Sequence, residues 1–226
     1  MSLKKTIKLI QGKIESAQER GGFSHPVQFV AVTKTHPFSF IQNCYSFGLN
    51  TIGENRIQEA SQKFGSFDDM PNITRRFIGH LQSNKVNKCL EMFDAIDAVD
   101  SLKLAKKISS AALLMEKIIP VLLEINTSGE AQKHGFLPNQ LDNIKACFDE
   151  KNISIQGLMT VGPKTTDLEK IRNSFIQLRE LRDSINKSTT QSNMQELSMG
   201  MSGDYEIAVE EGATMVRLGS VLFGVR

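Results

Sequence analysis

The sequence predicts a single (β/α)8 barrel, an α/β fold in which eight parallel strands alternate with helices. The chain has 226 residues, 40% of them hydrophobic, which is enough to bury a sizeable core. Short apolar runs alternate with amphipathic segments along its length, and runs that are apolar throughout are typical of parallel strands covered on both faces. Eight such units favour a closed barrel. An open α/β sheet of seven or eight strands remains the alternative, because the runs near Thr51 and Ala95 are weak.

The opening segment predicts a helix that lies outside the strand series. Its apolar residues recur at intervals of three and four, which places them on one face, and Gly21 follows the stripe. These residues are Leu3, Ile7, Ile10, Ile14 and Ala17. The last strand leaves too few residues for a full helix of its own, so we expect the opening helix to help cover that gap.

The strands and helices then follow in order. The strand candidates are 29–33, 51–53, 76–79, 95–99, 118–125, 153–161, 196–199 and 215–218. The strongest is 118–125, which is almost wholly apolar. The helix candidates are 38–47, 56–63, 83–92 with Ser83 as N-cap, 102–114, a helix with Pro138 in its first turn, 167–185 and 204–211. We find no linker or repeat, so residues 1–226 are expected to form one domain.

Charge and cysteine content exclude several classes of function. The 27 Lys and Arg residues nearly balance the 25 Asp and Glu residues, for a net charge of +2, which argues against a nucleic-acid or membrane partner. The three cysteines have no His or Cys neighbour at metal-ligand spacing, so we expect no metal site and buried thiols in a reducing cytosol. No run approaches 18 apolar residues, and we expect a soluble, cytoplasmic protein.

The carboxyl ends of the strands are where a barrel places its active site. Lys34 comes directly after the first apolar run. Desolvation at the barrel mouth would favour a neutral amine that attacks a carbonyl, and this gives the hypothesis of Schiff-base chemistry. The alternative is a lysine that simply extends its ammonium group to water.

Two small dipeptides follow the last two strands. Ser202-Gly203 is predicted to open a helix, and Gly219-Ser220 follows strand eight. Glycine lets backbone N–H groups approach a phosphate, and the amino end of a helix favours an anion. Taken alone, Ser202 is typical of an N-cap. Together with the lysine, the two dipeptides predict a phosphate site of the kind found after strands seven and eight of such barrels.

Further polar residues lie at or near the carboxyl ends of the predicted strands. Arg217 alternates with apolar neighbours and is expected to point inward, where it needs a core carboxylate or a ligand. His80 either contacts a ligand or is a hydrogen-bonded core histidine, and Asn55 either contacts a ligand or forms a turn. Lys133 and His134, in the loop after strand five, are interpreted as solvated charges.

Six segments spread over nearly the whole chain carry the most specific motifs. They are VAVTKTHP at 30–37, IGENRIQE at 52–59, FIGHLQSNK at 77–85, EINTSGEAQKHGF at 124–136, GLMTVG at 157–162 and LSMGMSGDYEIAVEEGATMVRLGSVLFG at 197–224. Together they resemble the pyridoxal phosphate homeostasis proteins, the YggS/PROSC family.

The resemblance implies the fold of the amino-terminal barrel of alanine racemases. It also implies that pyridoxal 5′-phosphate (PLP) is bound as a Schiff base on Lys34. By the same match, seven other residues hold the phosphate, approach the pyridine nitrogen or line the ring. The phosphate contacts are Ser202, Gly203, Gly219 and Ser220, the nitrogen contact is Arg217, and the ring contacts are Asn55 and His80.

A carrier is favoured over an enzyme. Racemisation needs acid/base groups on both faces of the reacting centre, and in alanine racemases a tyrosine of a second domain serves one face. The tyrosines of this chain are Tyr45 and Tyr205, neither an obvious second base. An arginine at the pyridine nitrogen would also leave the cofactor a weak electron sink.

We therefore expect no catalytic residue and a monomeric protein that acts in intracellular PLP (vitamin B6) homeostasis, with PLP-dependent apoenzymes as recipients. One alternative is a small PLP-dependent racemase or lyase. Another is a cofactor-free aldolase or phosphosugar enzyme that uses the lysine.

Overall fold

The computed structural model describes residues 2–189 and 191–224. Eight parallel strands pair in chain order and close into a barrel through the pairing of β1 with β8. The (β/α)8 prediction is confirmed, and the open sheet is excluded. The strands are β1 (Gln28–Val32), β2 (Thr51–Glu54), β3 (Thr74–Phe77), β4 (Ala95–Val99), β5 (Ile119–Glu124), β6 (Ile153–Met159), β7 (Glu196–Met201) and β8 (Met215–Leu218).

A helix precedes the barrel, and a helix follows each strand. The helices are α1 (Leu3–Gly21), α2 (Phe38–Ser46), α3 (Ile57–Lys63), α4 (Val86–Met92), α5 (Leu102–Leu114), α6 (Leu141–Ala146), α7 (Leu168–Ser188), α8 (Tyr205–Glu210) and α9 (Ser220–Phe223). Single 3-10 turns at Ser83–Lys85 and Cys147–Asp149 adjoin α4 and α6. None of the helices in the described residues is long and apolar enough to cross a membrane.

Helix α1 covers the side of the barrel where the last helix is short. Its predicted stripe is buried at Ile7, Ile10, Ile14 and Ala17, and it packs on α8 and on the four-residue α9. Lys13 pairs with Glu206 at 2.8 Å on the exposed edge of this contact. The expected role of the opening helix is confirmed.

The predicted helix starts at Pro138 and Ser83 are wrong. Pro138 does not open a helix, because Leu137 and Gln140 close a turn: the Gln140 N–H donates to the Leu137 carbonyl (2.9 Å), and the Leu137 N–H donates to Gln140 Oε1 (3.0 Å). Helix α6 begins only after that turn. Ser83 is not an N-cap, because it lies inside a 3-10 turn that precedes α4.

The barrel interior contains a buried charged pair as well as apolar side chains. Arg76 on β3 donates from Nε to both carboxylate oxygens of Asp97 on β4 (2.9 Å each) and comes within 3.5 Å of Glu196 on β7. Because β3 and β7 are not neighbours, the guanidinium group lies across the inside of the barrel. The Asp97 side chain is fully buried, so its charge depends on Arg76 for compensation.

All three cysteines are free and buried, as predicted. Burial raises the pKa of the Cys44 and Cys147 thiols to about 12 and raises that of Cys89 as well. These thiols therefore stay protonated at neutral pH and act as apolar core groups.

Candidate functional site

A cavity of about 620 Å³ opens at the carboxyl ends of the strands. Residues that follow β1, β2, β3, β6, β7 and β8 line it. The structure brings seven of the eight predicted site residues into this lining: Lys34, Asn55, Ser202, Gly203, Arg217, Gly219 and Ser220. The eighth, His80, is not part of it.

Lys34 lies at the mouth of the cavity, two residues beyond the end of β1. The backbone turns sharply here, since Thr35 has a left-handed φ of 62°. The lysine is exposed. The expected desolvation of its amine is therefore wrong, and the alternative of a lysine that extends to water agrees with this exposure.

A buried network fixes the backbone on which Lys34 stands. Thr33 Oγ1 donates to Glu54 Oε1 (2.6 Å), and Lys63 Nζ donates to the Thr33 carbonyl (2.8 Å) while forming an ion pair with Glu54. On the other side, the Thr35 N–H donates to Glu59. Burial raises the pKa of Glu54, and the bonds from Lys63 and Thr33 oppose that rise. These bonds hold the backbone on both sides of Lys34 in place.

Ser202 joins the ends of β7 and β8. Its Oγ accepts the N–H groups of Gly219 and Val221, each at 3.2 Å, in the first turn of α9. The prediction that Ser202-Gly203 opens the helix after β7 is wrong, because α8 begins at Tyr205. The serine caps α9 instead, so a hydroxyl and backbone donors from two strand ends stand side by side.

Two glycines shape the cavity wall. A Cβ at Gly203 would meet no described atom within 4 Å, so the space beside that backbone is open. A Cβ at Gly79 would instead collide with the carbonyl oxygen of Asn55. The missing side chain at Gly79 therefore allows the end of β3 to pack on the backbone of Asn55, which holds this residue at the cavity rim.

Arg217 is buried in the floor of the cavity. Its Nη1 donates to Ser198 O and Oγ (both 2.8 Å), and its Nη2 donates to Thr160 O (2.7 Å). No hydrogen bond among the described residues uses Nε or the second N–H of Nη2, so these two N–H groups remain as donors for a ligand. Desolvation lowers the pKa of Arg217, and the nearby carboxylates of Asp97 and Asp204 counteract it. No direct ion pair with a carboxylate is seen in the described part of the chain.

His80 turns away from the cavity lining. Its Nδ1 lies 2.9 Å from Asp100 Oδ2, and its ring stacks on that of His134 with centroids 3.8 Å apart and planes 12° apart. Lys133, in the same loop as His134, donates to the Gly162 carbonyl at 2.7 Å. The interpretation of Lys133 and His134 as purely solvated charges is therefore wrong.

Several residues of the site were not singled out from the sequence. His36 lines the cavity beside Lys34, and Val161 and Met201 contribute apolar wall. His36 and Val161 lie inside the motifs VAVTKTHP and GLMTVG, which is the signal that could have identified them. Glu124, at the end of β5, does not line the cavity, but burial and the Asp100 charge raise its pKa to about 7.

Comparison with known proteins gives consistent similarities. The family model "Alanine racemase, N-terminal domain" matches residues 10–226. The pyridoxal phosphate homeostasis protein of Aquifex aeolicus is 37% identical over 219 residues, which is 95% of this chain and 94% of the relative. PipY of Synechococcus elongatus, solved with PLP bound, is 31% identical with a TM-score of 0.86 over 99% of this chain and all of that one (100%).

An alanine racemase of Clostridium difficile shares the fold at lower identity. It is 16% identical, with a TM-score of 0.73, and the match covers 98% of this chain but 56% of the racemase. The barrel described above therefore corresponds to one part of that larger protein.

Proposed function

The chain belongs to the pyridoxal phosphate homeostasis protein family, and we propose from this premise that it binds PLP at the barrel mouth, attached to Lys34, and buffers or delivers it. The single observation that carries the proposal is the convergence of Lys34, Ser202, Arg217 and the neighbouring backbone on one cavity.

The chemical groups in the cavity fit the cofactor. When bound, PLP supplies an aldehyde that reacts with a primary amine, a phosphate dianion and a pyridine nitrogen. Lys34 supplies the amine at the mouth. In this proposal the Ser202 hydroxyl and the backbone of Gly203 and Ser220 bind the phosphate, and Gly219, whose N–H donates to Ser202 Oγ, lets the backbone approach it closely.

Arg217 and Asn55 hold the ring in this proposal. Arg217 would donate an N–H to the pyridine nitrogen, and a cationic donor there would keep that nitrogen free of a proton. Asn55 lines the ring from the rim. We leave His80 out of the contact set, because its ring is directed to Asp100 and His134.

A carrier role, without catalytic turnover, is the second part of the proposal. Neither tyrosine lines the cavity: Tyr45 donates to the Pro71 carbonyl (2.8 Å), and Tyr205, the first residue of α8, is buried. The homeostasis names of the relatives support the same role.

The proposal also covers the oligomeric state, the recipients of the cofactor and the location of the protein. We propose that residues 1–226 act as one monomeric domain and that PLP-dependent apoenzymes receive the cofactor. A cytoplasmic location is supported by the three free, buried thiols.

Uptake, transfer and turnover of PLP test these two parts separately. Added PLP is expected to give a visible absorption band on the protein, and the loaded protein is expected to activate a PLP-dependent apoenzyme. With alanine and other amino acids, racemisation is expected not to exceed that of free PLP at the same concentration. Turnover well above that level would make the protein a racemase or lyase, and failure to take up PLP would leave a cofactor-free barrel enzyme.

Replacing Ser202 with alanine is expected to weaken PLP binding about tenfold or more, since a hydrogen bond to a charged phosphate contributes about 1.5–3 kcal/mol. PLP titration followed by absorbance measures the change. Ser184→Ala, at an exposed position of α7, is the matched control. Because Ser202 also caps α9, a thermal melt is needed to separate binding from folding. Unchanged affinity in a folded Ser202→Ala protein would remove the serine from the phosphate site.

A further inference from the structure

Three side chains able to bind metals meet beside the cavity mouth. They are His80, Asp100 and His134, and one ligand atom from each lies within 4.8 Å of the other two. They follow three consecutive strands, β3, β4 and β5, so the barrel brings together residues that are up to 54 positions apart (134 − 80). We propose that this His80–Asp100–His134 cluster binds a divalent transition-metal ion, with Zn²⁺ the best match.

The donor set selects the class of ion. Two imidazoles and one carboxylate match Zn²⁺ and its neighbours, whereas Mg²⁺ and Ca²⁺ prefer oxygen ligands throughout. Three protein ligands leave a fourth, open position of a tetrahedral site. The cluster therefore fits an ion that also carries a water molecule or an exchangeable ligand.

The distances fit after a small movement. The Nδ1 atoms of His80 and His134 lie 2.9 and 3.8 Å from the same oxygen, Asp100 Oδ2. Bonds of about 2.0–2.1 Å in a tetrahedral site set the ligand atoms about 3.4 Å apart. The two rings have to tilt out of their stack to aim at one point. Their side chains are 42% and 55% exposed, so core packing does not oppose that tilt.

The acidic ligand is already oriented. Asp100 is only 12% exposed, and its second oxygen, Oδ1, accepts the Ser101 hydroxyl at 3.1 Å. This bond leaves Oδ2 directed at the two imidazoles, in the manner of the outer-shell contacts that orient metal ligands. Lys133, which precedes His134 in the same loop, pairs with Glu130 and donates to the Gly162 carbonyl, so its charge is directed away from the cluster.

Metal titration of the full chain tests the proposal independently of PLP. PLP itself chelates divalent ions, so the titration is made on the protein as purified and on Lys34→Ala. Both are expected to bind one Zn²⁺ per chain by calorimetry, and Co²⁺ is expected to give the intense visible bands of a four-coordinate site. ZnCl₂ is also expected to raise the melting temperature.

Three single substitutions locate the site. His80→Ala, His134→Ala and Asp100→Asn are each expected to weaken Zn²⁺ binding at least tenfold. The matched control is His25→Ala, whose imidazole bonds the Ala213 carbonyl outside the cluster. Melts without metal verify that each variant is folded, and any one folded variant decides the question. Absence of stoichiometric binding by the wild type, or equal affinity in a folded cluster variant, would overturn the proposal.

Discussion

Lys34→Ala is expected to lose the visible absorption band of bound PLP completely and to retain no cofactor after borohydride treatment. The reason is that Lys34 is the lysine that lines the cavity, two residues beyond β1 on a segment anchored by Lys63 and Glu54. The phosphate contacts around Ser202 stay in place, so reversible binding is expected to persist at reduced affinity. Absorbance, with mass spectrometry of the reduced protein, measures both.

The matched control is Lys164→Ala, which removes an exposed lysine from the loop after β6. It is expected to keep the wild-type band and to carry reduced cofactor on the peptide that contains Lys34. Borohydride labelling of a different lysine in the wild type would show that the attachment point is wrong. Persistence of the full band in Lys34→Ala would show the same.

Arg76→Ala is expected to cost about 3–5 kcal/mol of folding free energy, the largest stability effect that we predict. The substitution leaves the fully buried Asp97 carboxylate without its partner inside the barrel, and an uncompensated buried charge is strongly destabilising. For a chain of this size, the melting temperature should fall by roughly 10 °C. Chemical denaturation and a thermal melt give the two values.

The double substitution Arg76→Met with Asp97→Leu separates charge from packing. If the buried charge is the cause, this double variant is expected to recover most of the stability lost in Arg76→Ala. Arg75→Ala is the neighbouring control: Arg75 forms a partly exposed pair with Asp94 (2.6 Å), so a loss of about 1 kcal/mol or less is expected. Equal losses in Arg75→Ala and Arg76→Ala would contradict this account.

Much of the fold was predictable because its signals are local. Strands such as β5 are buried by neighbours on both faces, so they appear in the sequence as continuous apolar runs, and the α1 stripe appears as a helical period. Helix starts were less predictable. At Pro138 and Ser83, local turns determine where the helix begins. Single-residue helix propensities carry no information about those turns.

The positions of the site residues could be predicted, because they follow from the order of the strands. The directions of their side chains could not, because these depend on contacts between residues that are distant in sequence. Strand ends of a barrel meet at one face, so the positions of Lys34, Ser202 and Arg217 follow from topology. The exposure of Lys34 depends on the exact residue at which β1 ends. The direction of His80 depends on Asp100 and His134, which are distant in sequence.

The contact of α1 with α8 and α9, together with the pairing of β1 with β8, has a consequence for synthesis of the chain on the ribosome. Helix α1 is synthesised before α8 and α9, so its apolar face stays uncovered until those two helices are made. The seam between β1 and β8 closes only when both are outside the ribosome, and such distant contacts form slowly. Lys34 and Ser220 stand on opposite sides of that seam. A chain stalled before β8 therefore contains Lys34 and Ser202 but lacks Arg217, Gly219 and Ser220, so its cavity is incomplete until β8 is made and pairs with β1.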